Sequence, residues 1–92
     1  MPNIENVASS SSDLSVATGT KVVYWLYVEA GATGGAWSLE DGTDASGTVK
    51  LSGSKVANTD TFFYFGDAPI EMKTGIYLDI GGTNVTMTLG YR

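Results

Sequence analysis

Apolar and polar residues alternate along much of this chain, with a period of two. After Gly75, Ile76, Leu78 and Ile80 alternate with Tyr77 and Asp79; past Gly81 and Gly82, Val85, Met87, Leu89 and Tyr91 alternate with Thr86, Thr88, Gly90 and Arg92. Side chains two apart share one face of a strand, so both segments are predicted as half-buried strands. The Gly-Gly pair supplies the positive φ angles of a tight turn, and the two strands are expected to form a closing hairpin with the last strand at an edge or seam.

The same period recurs upstream. "SDLSVAT" carries Leu14 and Val16, "TKVVYWLYVEA" spans Thr20 to Ala30, and "AWSLED" places Trp37 and Leu39 on one face. "TVKLSG" turns Val49 and Leu51 inward, "DTFFYFG" follows from Asp60, and "DAPIEM" with Pro69 reads as a loop. No segment holds apolar residues at helical spacing for three turns. Short strands joined by tight turns, with no helical crossover, predict an all-β fold: a small antiparallel β-sandwich or barrel, jelly-roll or Greek-key-like, of six to eight strands. The chain is expected to be a single domain, with an extended N-terminal arm over residues 1–13 and the sandwich or barrel over 14–92.

Two strands break the simple alternation. In Thr20 to Ala30, Val22, Tyr24, Leu26 and Val28 occupy one face and Val23, Trp25 and Tyr27 the other; in "TFFYF", Phe63 and Phe65 oppose Phe62 and Tyr64. Only one face of each can point into a core of this size. The second faces fill a barrel interior, lie under loops or are covered by the N-terminal arm, or they are buried against another molecule, because monomers rarely expose large apolar patches. Without the strand register, both readings stand. The interface candidates are Pro2, Ile4 and Val7 of the arm together with Trp25, Tyr27, Phe62 and Tyr64.

Composition narrows the chemistry. The 92 residues contain no cysteine and no histidine, which removes disulfides, thiolate metal sites and imidazole proton transfer. A single core of this length is modest, so partner subunits would add to its stability. The formal charge is −5, and Lys21, Lys50, Lys55, Lys73 and Arg92 are scattered, which argues against nucleic acid as a partner. The first sixteen residues lack the basic and apolar regions of a secretory signal, and no run approaches the roughly 18 apolar residues of a span, so no membrane partner is expected.

Reactive constellations are few. Glu40, Asp41 and Asp44 in "LEDGTD" miss the spacing of a calcium loop and read as a solvated turn. Asp67 and Glu71 are the one carboxylate pair to nominate for glycoside hydrolysis, and nothing in the sequence brings them to a cleft. "SGSK" at Ser52 to Lys55 has no context for a Ser-Lys nucleophile, "GATGG" lacks the spacing of a phosphate loop, and "NVT" at Asn84 reads as turn chemistry. Trp25 and Trp37 could stack on a sugar, although core packing accounts for most of the aromatics. No cofactor is expected.

"YWLYVEAGATGGAWSLEDGT" and "FGDAPIEMKTGIYLDIGGTNVTMTLGYR" resemble small β-rich virion proteins of tailed bacteriophages, of the capsid-decoration (cement) or head-to-tail accessory type. The likeness covers about three quarters of the chain. It implies a non-enzymatic component made in the bacterial cytoplasm and located on the capsid exterior, self-associating, commonly as a trimer, and binding the major capsid protein. No catalytic residue carries over. A tail, fibre or carbohydrate-binding adhesion module is the alternative.

Overall fold

The computed structural model describes residues 6–81 and 84–92. The candidates Pro2 and Ile4 lie outside them, as does Gly82 of the expected turn. Nine strands follow one another among the described residues: β1 (Asn6–Ser10), β2 (Leu14–Thr18), β3 (Lys21–Ala30), β4 (Gly35–Asp41), β5 (Thr48–Lys55), β6 (Asp60–Tyr64), β7 (Ile70–Met72), β8 (Gly75–Ile80) and β9 (Val85–Tyr91). They form two antiparallel sheets. The first has the order β1-β9-β3-β6, with β7 also pairing β3; the second has the order β2-β8-β4-β5. The fold is therefore a β-sandwich, with no helix among the described residues.

Two of the strands lie where none was expected. β1 falls inside the predicted arm, and β7 inside the predicted loop after Pro69, where it extends the first sheet beside Lys21, Val22 and Val23. A three-residue strand is too short to leave a readable alternation.

The expected closing hairpin does not form. β8 pairs with β2 and β4 in the second sheet, whereas β9 pairs with β1 and β3 in the first. The chain at Gly81 is thus leaving one layer for the other, and β9 is an interior strand of its sheet, not an edge. The physical reason is plain: two half-buried strands that face each other across a core show the same alternation as two neighbours in one sheet. The crossing is tied down by backbone bonds, Gly81 N–H to the Ala36 carbonyl at 2.9 Å and Gly31 N–H to the Asn84 carbonyl at 2.8 Å.

Between the layers lies one core. Val23, Leu26 and Val28 of β3 and Val85, Met87 and Leu89 of β9 come from one sheet, with Met72 of β7; Trp37 and Leu39 of β4 and Ile76 and Leu78 of β8 come from the other. Fully burying each such side chain contributes about 1.5–3 kcal/mol. Trp37 and Phe63 meet across the layers with ring centroids 5.7 Å apart. Opposite Trp37 in the β4–β5 ladder stands Gly53, where a Cβ would come within 2.9 Å of the indole, so only glycine leaves room for the ring.

Unbroken alternation in β3 would put Val22 on the same face as Leu26 and Val28. Instead Val23 pairs with Tyr91 and Trp25 with Gly90, so β3 carries one extra residue, Tyr24, at a bulge. The bulge shifts the pattern by one, so that Val23, Leu26 and Val28 all point inward while Val22 remains half-buried. The Tyr24 ring lies 4.3 Å from the Arg92 guanidinium carbon, a cation–π contact.

Candidate functional site

The outer face of the first sheet is built by register. In one row across the strands stand Val7, Gly90, Trp25 and Tyr64; in the next, Ser9, Thr88, Tyr27 and Phe62. Beyond them Thr86, Glu29 and Asp60 continue the face. Every described member of the candidate set, Val7, Trp25, Tyr27, Phe62 and Tyr64, therefore lies on one surface. Aromatic residues from adjacent strands form a two-by-two block, with Trp25 and Phe62 on the diagonal at 5.9 Å between centroids and 32° between planes.

Much of this block faces solvent. Phe62 is 57% exposed, Tyr64 73% and Val7 63%, while Trp25 and Tyr27 are half-buried by their neighbours. Phe63 and Phe65, one residue on from each exposed ring, pack against the core. The edges of the block are polar: the Tyr27 hydroxyl donates to Asp60 Oδ2 at 2.8 Å, and the Ser9 and Thr88 hydroxyls are 2.8 Å apart. The bond to Asp60 raises Tyr27 above the usual phenol value, with desolvation and the charges of Asp60 and Glu29 acting in the same direction. At the polar end, an open trough of about 360 Å³ is lined by Ser11, Glu29, Ala30, Gly31, Asn84 and Thr86.

The remaining candidates stand apart from this face. Trp37 is 4% exposed and belongs to the core, so it offers no ring to a sugar. Glu40 and Asp41 are not in a solvated turn but on β4: Glu40 is 3% exposed and accepts the Ser38 hydroxyl at 2.9 Å. Asp41 accepts the backbone N–H groups of Lys73 and Thr74 at 2.9 and 2.8 Å and that of Gly75 at 3.3 Å, so it organises the entry to β8. Asp44 does hold an exposed turn, accepting both the N–H and the hydroxyl of Ser46. No group of three or more potential metal-ligating side chains is assembled among the described residues.

Asp67 is exposed in the turn after β6 and Glu71 is exposed on β7; the Lys55 ammonium donates to the Thr61 hydroxyl. Asn84 Oδ1 accepts the Thr33 hydroxyl at 2.7 Å, which ties the layer crossing to the β3–β4 loop. The sequence pattern named Val7 as part of an arm and missed the strand β1. Its pairing with β9 sets Val7 in the row of Trp25 and Tyr64, and no signal within "NVASS" points to that neighbour.

Comparison with known proteins returned no matching family model, no similar curated protein and no similar solved structure.

Proposed function

We propose that this chain is a non-enzymatic virion structural protein of the capsid-decoration type, which attaches to a capsid lattice through the outer face of its first sheet. The observation that carries the reading is the exposed aromatic block of Trp25, Tyr27, Phe62 and Tyr64, held on a sheet whose opposite face is the core. Large rings at the centre of a contact supply most of the binding energy of protein interfaces, and their rigidity keeps the entropic cost of docking low. Bound between neighbouring capsomers, the domain adds contacts that internal pressure must break. Self-association, with a trimer favoured, multiplies the attachment points.

Purified protein mixed with undecorated capsids tests this. Wild type is expected to co-sediment with them and raise their thermal resistance, and the double variant Phe62→Ser/Tyr64→Ser to remain folded but unbound. No binding by the wild type would sink the proposal.

A second reading rests on the trough beside the same block. Rings flanked by Glu29, Asp60, Thr86 and Ser11 could hold a sugar, its C–H face on an aromatic plane and its hydroxyls on the acceptors. Glycan-array binding lost in Trp25→Ala, with no capsid binding, would select a carbohydrate-binding adhesion module instead.

A further inference from the structure

We infer that β1 is an exchangeable strand: it can leave its own β9 and pair with the β9 of a second copy of this chain, so that each attachment face is built from two copies. The inference deepens the self-association proposed above and does not depend on the capsid as the target.

The two sides of the β1–β2 connection are held very differently. Among the described residues β1 pairs with β9 alone, at the end of its sheet. Of its five residues, Asn6, Val7 and Ser9 are exposed, and Ala8 is the one that packs against the core. Its hold is the backbone ladder and the Ser9–Thr88 hydroxyl pair, groups that water can also satisfy. A strand with so little buried apolar area belongs to the low-stability end of a fold.

β2, by contrast, starts in the other sheet. Asp13 Oδ1 accepts the Ile80 N–H at 2.8 Å, and Val16 and Ala17 pack on the core, so β2 stays in place without β1. Between them run Ser11, Ser12 and Asp13, all exposed, held by local bonds between the Ser10 hydroxyl and the backbone of Ser12. Three such residues extend to about 10 Å, enough to redirect β1 away from its own sheet.

Exchange is thermodynamically light because the ladder and packing that β1 gives up on its own β9 are remade on the β9 of the other copy; only association entropy opposes it. Exchange rebuilds the same face from two copies. Val7 shares a row with Gly90, Trp25 and Tyr64, so an exchanged β1 carries one copy's Val7 onto the other's aromatic block.

The absence of native cysteine makes the test direct. Ser9 and Thr88 are register partners with touching hydroxyls, so the full-length double variant Ser9→Cys/Thr88→Cys is oxidised at high protein concentration and run on a non-reducing gel. Disulfide-linked dimers and higher species are expected beside the intramolecular monomer, in a share that rises with protein concentration; a product that is wholly intramolecular monomer overturns the inference. Should the double variant fail to fold, the single variants Ser9→Cys and Thr88→Cys are mixed and oxidised. Exchange makes the mixed disulfide about tenfold or more commoner than either symmetric one, through the effective concentration of paired thiols. A statistical mixture overturns it. Cross-linking without capsid binding would remove the capsid reading and leave strand exchange standing.

Discussion

Asp41 shows how much one side chain organises in this fold. Its carboxylate gathers three consecutive backbone N–H groups at the entry to β8, and the bond from Lys73 is the largest cause of its lowered pKa, opposed by desolvation and aided by Thr74, Gly75 and the charge of Lys50. A folded-state pKa below the unfolded value stabilises the protein above the unfolded pKa of about 3.9, and the contribution disappears as pH falls through the folded value. Asp41→Asn is therefore expected to cost about 1–3 kcal/mol at pH 7, the loss of charged hydrogen bonding, and progressively less as acid protonates the wild type. Urea midpoints of both proteins between pH 7 and pH 2 check this; a difference that stays constant across the range would show that the charge plays no part. Residue types alone mark "LEDGTD" as a turn, and the distant partners of Asp41 are invisible in the sequence because they lie more than thirty positions away.

At the scale of the element, the bulge in β3 decides which side chains form the core. Val23 is fully buried and Val22 is not, although both are valines in one strand. Val23→Ala is expected to destabilise by about 1–2 kcal/mol more than Val22→Ala, two buried carbon groups at about 0.8 kcal/mol each. Equal unfolding midpoints, or the reverse order, would return the strand to unbroken alternation. The period of two was legible at β6, where Phe63 and, just past its end, Phe65 share one face and Phe62 and Tyr64 the other; that the first pair turns inward is what the structure adds. It was not fully legible in β3, because an extra residue shifts the period and leaves no mark on composition. The candidate face inherits both facts: Phe62 and Tyr64 could be paired from sequence, but their alignment with Trp25 and Tyr27 depends on the antiparallel register of two strands far apart in the chain.

For the molecule as a whole, the chain passes repeatedly between layers, and both sheets need residues from its beginning and its end. Neither sheet is a contiguous stretch that could fold first on its own, so unfolding is expected to be one cooperative transition. Trp25 on the outer face of the first sheet and Trp37 in the core report separately: urea midpoints from the fluorescence of Trp37→Phe and Trp25→Phe should each coincide with that from far-UV circular dichroism of the same variant. A fluorescence midpoint displaced from the circular dichroism midpoint in either protein would reveal independent layers. The sequence by itself determined the class of the fold, because period-two alternation, glycine-rich turns and the absence of helical spacing are local properties of the backbone and side chains. It also narrowed the reactive chemistry, since cysteine and histidine are absent from the composition. Only the tertiary structure decided that β8 and β9 face each other across the core instead of pairing, that β1 closes one end of the first sheet, and that five candidate residues meet on one surface. Those outcomes depend on which strands become neighbours, and half-buried strands in different layers carry the same pattern as half-buried strands side by side.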